Sequence, residues 1–228
     1  MQAVILAAGK GTRMRPLTYD IPKPMLPIKG RPVLEHTLSF LPEEIDEVII
    51  VINYLGKHIK KHFGEEWEGR KIKYAFQKEL NGTGGALHTC KNLVKEKFLV
   101  VMGDDLYYKK DLEKMLGEDL AILAQEVDDP SRFGVLKTDE KGKLIEIVEK
   151  PKMEGTGLVS TNAFILNKKF FDYDLVPVSD TEYGLPQTLA VMAKDYPVKV
   201  MRTTHWMAVG RPEDLEKAQT EIEKFYAF

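Results

Sequence analysis

From Leu6 to Pro27 the chain runs LAAGKGTRMRPLTYDIPKPMLP. It leaves an apolar run, Ala3-Val4-Ile5-Leu6-Ala7, with too little alternation for a half-exposed strand, which suits a buried parallel one. In Gly9-Lys10-Gly11-Thr12 two glycines let the backbone come close to a ligand and aim consecutive N–H groups at an anion. Arg13, Arg15 and Lys23 add fixed positive charge around the turn. A strand feeding a cation-loaded glycine turn is chemistry for a polyphosphate.

Working outward, the same kind of run recurs. Val48 to Ile52 and Phe98 to Met102 read as buried strands, and Ile72 to Gln77 as a third strand with loose alternation. Between them, helices are expected over Pro32 to Phe40, Lys57 to Phe63 and Ala86 to Val94. This strand–helix rhythm argues for a right-handed, mostly parallel α/β sheet, whose ligands belong at the carboxyl ends of the strands. The loops after Ala7, Gln77 and Met102 all fall at such ends. Beyond residue 110 the pattern turns to strands at Leu120 to Val127, Gly134 to Thr138, Lys143 to Glu149 and Val159 to Leu166, with a hairpin-type turn at Glu140-Lys141-Gly142. They are expected to form a second region that covers the first and holds another substrate. Tyr183 to Lys194 is expected to be a helix with Pro186 in its first turn, and Val198 to Thr203 a strand. Pro212 to Phe225 is expected to be an amphipathic helix with Leu215, Ala218, Ile222 and Phe225 inward.

Composition narrows the function. The 228 residues can form one domain with a sizeable core. A net charge of -2 gives no broad surface for nucleic acid. The first thirty residues differ, because Lys10, Arg13, Arg15, Lys23 and Lys29 face only Asp20, an excess that suits a small anionic ligand. Cys90 is the single cysteine and reads as a packed thiol. His58 and His62, at helical spacing, lack a third motif-level ligand and read as surface histidines. No apolar run reaches the ~18 residues of a membrane span, and Met1 leads straight into the first strand; a cytoplasmic protein without membrane partners is expected.

The common phosphate-loop templates do not fit. No Gly-Lys pair is followed by Ser or Thr, and Met14 breaks a G-x-G-x-x-G fingerprint. The whole stretch instead resembles the signature of the sugar-1-phosphate nucleotidylyltransferases, L-A-A-G-x-G-T-R-hydrophobic-x-P-L-T followed by P-K-P-hydrophobic-hydrophobic-P. The resemblance is strong through residue 105, patchier afterwards, and closest to the short glucose-1-phosphate uridylyl- and thymidylyltransferases. It implies a three-layer, Rossmann-like, mostly parallel sheet with a smaller sugar-binding subregion. One domain is expected, with residues 1–110 as the nucleotide half, 111–210 as the sugar-phosphate half and 211–228 as a closing helix. No hexapeptide repeats are present, so the β-helix that many relatives append is not expected.

The implied reaction is attack of a sugar-1-phosphate oxygen on the α-phosphorus of a nucleoside triphosphate, with pyrophosphate leaving. An anionic nucleophile needs no general base; the work is to align two repelling anions and neutralise the leaving charge. By resemblance, Arg13, Lys23 and Lys150 are the catalytic cations. Leu6, Ala8, Gly9, Gly11, Thr12 and Arg13 surround the nucleotide, joined by Gln77, Gly82 and Thr83. A glutamine amide offers a donor and an acceptor, which suits the edge of uracil or thymine, so UTP or dTTP is preferred, with cytidine and guanosine left open. Asp104 resembles the Mg²⁺ ligand, and Asp105 beside it is expected to face solvent or cap the next element. Gly134, Glu149, Lys150 and Asn162 are placed at the sugar phosphate. Glu149 and Lys150 can share one ligand only if the strand ends there, which Pro151 favours.

Two positions depart from the family. Relatives carry Asn-Ala-Gly where this chain has Ser160-Thr161-Asn162, which puts a side chain beside the sugar, so the acceptor need not be glucose-1-phosphate. Ala208, in Trp206-Met207-Ala208-Val209-Gly210-Arg211-Pro212, stands where a second metal-binding aspartate belongs. Two other readings stay open: a cytidylyltransferase acting on a phospho-alcohol such as inositol phosphate, and a nucleotide-binding protein without turnover. Oligomeric state is not legible.

Overall fold

In the computed structural model, which describes residues 1–153 and 155–226, the apolar runs become strands of one ten-stranded sheet. Strands β1 (Gln2–Leu6), β2 (Glu47–Ile52), β3 (Arg70–Phe76) and β4 (Lys97–Met102) lie side by side in the order β4-β1-β2-β3, all parallel. Helices α1 (Val33–Ser39), α2 (Gly56–Phe63) and α3 (Gly82–His88) alternate with them. The absence of alternation in β1 has its reason in the layers. Val4 and Leu6 pack with Ala86 and Leu87 of α3 on one face, while Ala3 and Ile5 pack with Leu34 and Leu38 of α1 and Ile59 and Phe63 of α2 on the other.

Helix α4 (Lys109–Met115) follows, and then β5 (Ala121–Val127), β6 (Gly134–Thr138), β7 (Leu144–Glu149) and β8 (Gly157–Asn167). These strands do not lie over the first sheet as expected; they extend it. β8 runs antiparallel along β4, β6 and β7 continue the sheet beyond β8, and β5 pairs with β8 and with β9 (Lys199–Arg202). Between Ser160 and Phe164 the β8–β5 register shifts, and Asn162 there takes φ 56°. That left-handed conformation favours glycine, with asparagine among the few tolerated substitutes. The backbone at Asn162 is thus one that the glycine expected here would also adopt.

Helix α5 (Leu185–Met192) holds Pro186 in its first turn as expected and packs against the α3 face of the sheet. Helix α6 (Pro212–Glu221) ends sooner than the periodicity predicts and is followed by a separate turn, Glu223–Tyr226. Ala218, Ile222 and Phe225 are nonetheless buried, in a satellite core with Ile28, Val33, Leu106 and Val209, and Leu215 packs against it. Among the described residues no helix is long and apolar enough to cross a membrane.

Helix α3 starts at Gly82, four residues before the predicted start, and ends before Val94. Three glycines in its first turn are poor helix formers. Two of them are closely packed: a Cβ at Gly82 would lie 2.4 Å from the Tyr183 carbonyl oxygen, and one at Gly84 3.2 Å from it. Tertiary contact with the chain entering α5 overrides local propensity.

Candidate active site

The glycine turn leaves β1 and folds back on itself. Thr12–Met14 form a single 3₁₀ turn whose Met14 is fully buried, explaining why the motif wants an apolar residue there. Gly11 sits at φ 61°, and a Cβ on it would come 2.9 Å from the Lys23 Cβ. The buried Thr18 donates to the Gly11 carbonyl at 2.8 Å. Pro22 and Pro24 flank Lys23 in a second 3₁₀ turn, Lys23–Met25. The two turns thus seat Lys23 against Gly11.

Leu6, Gly9, Gly11, Thr12, Arg13, Lys23, Met102 and Asp104 line one pocket of about 220 Å³ at the carboxyl ends of β1 and β4. Sequence distance hid one feature of it. Lys23, only 9% exposed, forms an ion pair with Asp104, whereas its loop showed no partner in the sequence. Arg13 remains exposed, its Nη2 3.9 Å from where a Cβ on Gly210 would lie. Ala8 is buried in the core beside the pocket and offers its backbone only. A larger hollow of about 440 Å³, lined by Glu96, Lys97 and Tyr196, lies at the opposite ends of the strands, away from these groups.

Asp105 does not face solvent. It is 6% exposed and accepts from the Trp206 indole N–H at 3.1 Å. Burial, reinforced by the neighbouring Asp104 charge, pushes its carboxyl up to about 8, with Lys23 pulling the other way. The reason is a short strand pair, in which Asp105 stands opposite Ala208 and Tyr107 opposite Trp206. Ala208 thus lies beside the acidic pair, and the Val209 N–H donates to the Asp104 carbonyl at 3.3 Å.

The donor set fits magnesium only in one way. Among the described residues no three His, Cys, Asp or Glu side chains converge on a metal position. Magnesium keeps several waters and takes one or two carboxylates plus phosphate oxygens. Asp104 fits an ion that arrives with, and is mostly ligated by, a triphosphate.

A second group assembles around β7. The strand ends at Glu149, and Lys150 takes φ 42°, its N–H bound to the Phe133 carbonyl at 2.9 Å. That reversal is what brings the Lys150 Nζ within 3.3 Å of the Glu149 carboxylate. A Cβ on Gly134 would stand 3.3 Å from the same carboxylate. No motif points to Gln187, on α5, whose amide donates to Glu149 at 3.2 Å. Tyr107 links the end of β4 to the β8 bulge, accepting from the Met102 N–H at 3.2 Å and donating to the Thr161 carbonyl at 3.0 Å.

Gln77, closing β3, is 4% exposed, and both of its amide hydrogens are engaged: Nε2 lies 3.1 Å from the Gly82 carbonyl and 3.1 Å from the Asn81 side-chain oxygen. The donor-plus-acceptor edge expected of this residue is therefore reduced to an acceptor. Thr83 accepts from the Leu185 N–H at 3.1 Å and so ties α3 to α5.

A cationic glycine turn facing one carboxylate at the carboxyl ends of parallel strands defines an α/β protein built to handle phosphates. Residues 2–224 match the family described as nucleotidyl transferase, and the chain belongs to it. It is 33% identical to the UTP–glucose-1-phosphate uridylyltransferase AglF of Haloferax volcanii, over 98% of this chain and 97% of that one. It is 38% identical to the D-glycero-alpha-D-manno-heptose 1-phosphate guanylyltransferase of Campylobacter jejuni, over 75% of this chain and 78% of the relative. The bifunctional protein GlmU of Methanocaldococcus jannaschii is 35% identical over 96% of this chain, which spans 53% of that relative's length. Among solved structures, a putative glucose-1-phosphate thymidylyltransferase from Bacillus anthracis superposes with a TM-score of 0.86 at 27% identity, covering 96% of this chain and 94% of that one.

Proposed function

We propose that the protein transfers a nucleotidyl group from UTP or dTTP to a sugar-1-phosphate, giving a nucleoside-diphosphate sugar and pyrophosphate. The observation that carries this reading is the Lys23–Asp104 pair at the mouth of the glycine turn. A buried lysine held by one carboxylate is charge set in place for a polyanion. The glycine-turn N–H groups and Arg13 take the β- and γ-phosphates, and Lys23 bridges toward the α-phosphate. Magnesium, when bound through Asp104, neutralises phosphate charge. Glu149 accepts from sugar hydroxyls, while Lys150 grips the sugar phosphate and holds its oxygen in line with the α-phosphorus. Residues 1–110 serve as the nucleotide half and 111–210 as the sugar-phosphate half. The relatives' names, which span uridylyl, thymidylyl and guanylyl transfer, support the reaction class more than one base.

Kinetics with one substrate varied at a time test the two pockets. Lys150→Ala is expected to raise the KM for sugar phosphate far more than that for NTP, and Gln77→Ala to do the reverse. Equal effects of both variants on both substrates contradict the assignment.

Ala208 supports a second reading, a nucleotide-binding protein without turnover. Placed opposite Asp105 and beside Asp104, an aspartate at this position is expected to add a metal ligand while weakening the site for a polyanion. Ala208→Asp should raise kcat or lower the magnesium concentration required, with NTP affinity similar or weaker. Pyrophosphate release across a magnesium titration of both forms checks it; identical curves would show that position 208 is no part of the metal site.

A further inference from the structure

The way Gln77 is held restricts which bases the nucleotide pocket takes, an inference that rests on the nucleotidyl-transfer reading above. A backbone carbonyl only accepts hydrogen bonds, so the contact with the Gly82 oxygen settles which end of the Gln77 amide is nitrogen. The second amide hydrogen goes to the Asn81 side-chain oxygen. The Gln77 backbone is fixed as well, its carbonyl accepting from Asn53 Nδ2 at 2.6 Å and its N–H donating to the Ile52 carbonyl at 3.0 Å. Among the described residues no donor reaches Oε1. A ligand therefore meets an immobilised acceptor.

Asn81 owes its position to a missing side chain. Its carboxamide lies across Gly85, where a Cβ would stand 1.8 Å from the Asn81 Oδ1 and 2.4 Å from its Cγ. A side chain at Gly85 would therefore push the Asn81 carboxamide out of this position.

We propose that Asn81, seated on Gly85, is a positioning residue that locks the Gln77 amide acceptor-outward. The pocket then selects bases with a ring N–H on their pairing edge, namely uracil, thymine or guanine, over cytosine and adenine. Uracil and thymine offer N3–H and guanine N1–H. Cytosine and adenine carry a lone pair at that ring nitrogen, which would face the lone pairs of Oε1. Their amino groups lie off the ring, so bonding through them shifts the base along the site. Leaving a nearly buried acceptor unpaired is what makes such rejection strong.

Equilibrium binding of UTP, dTTP, GTP, CTP and ATP, without sugar phosphate, tests this on the full chain. The tightest complex of the wild type is expected with UTP, dTTP or GTP, at least ~100-fold tighter than with CTP or ATP. Asn81→Ala and Gly85→Ala should each cut that ratio about tenfold by freeing the Gln77 amide. Asn81→Asp, whose carboxylate still accepts from Gln77, should keep it. A thermal melt of each variant confirms that it is folded, and the wild-type ratio stands without the variants. A CTP or ATP complex as tight as the best of the other three overturns the proposal, as does a ratio unmoved in both Asn81→Ala and Gly85→Ala. Failure of all five nucleotides to bind overturns the nucleotidyl-transfer reading beneath it.

Discussion

Lys23→Ala is expected to lower the rate of pyrophosphate release at least ~100-fold, about 2.7 kcal/mol of transition-state stabilisation, and Arg13→Ala to act similarly. The two variants should differ in stability. Arg13 is exposed, and its loss should leave the melting temperature nearly unchanged. Lys23 is 9% exposed and paired with Asp104, so its loss strands a partly buried carboxylate and should cost about 1–3 kcal/mol. Rate assays at a temperature where both variants are folded separate catalysis from stability. Near-normal turnover in either variant contradicts the role given to that cation.

Asp104→Asn is expected to produce a comparable loss of turnover, about 100-fold, through the opposite charge. The amide keeps a contact for Lys23 but no longer carries the charge a divalent cation needs. Removing a negative charge beside a polyphosphate favours nucleotide binding, whereas removing Lys23 opposes it. Measured by calorimetry in EDTA, where charge alone decides, nucleotide affinity should fall in Lys23→Ala and hold or rise in Asp104→Asn. Parallel losses in both would mean that the pair serves structure rather than phosphate.

Much of this could be read along the chain because its signal is local. The runs Ala3 to Ala7, Val48 to Ile52 and Phe98 to Met102 are buried on both faces of one sheet and show no alternation for that reason. The glycine turn at Gly9 to Gly11 and the strand end before Pro151 are legible from the residues beside them, although their geometry is completed by Lys23 and Phe133. What escaped reading depends on partners far along the chain. Lys23 meets Asp104 across 81 positions, and Asp105 meets Trp206 across 101. Gln187 reaches Glu149 only because α5 packs beside β7. Helix α4 has little periodicity to read, since of its seven residues only Asp111, Leu112 and Met115 turn inward and the first of these is charged. Asn162 reads along the chain only as a side chain where a glycine is expected, and its φ of 56°, a conformation open to glycine and tolerated by asparagine, appears only in the fold.

Pyrophosphate release from UTP, dTTP, GTP, CTP or ATP, each with and without a panel of sugar-1-phosphates, tests the central claim most directly. The expected result is release that requires both substrates, is greatest with UTP or dTTP, and is matched mole for mole by a nucleoside-diphosphate sugar. Release with CTP and inositol phosphate, or nucleotide binding with no release under any pairing, would contradict it.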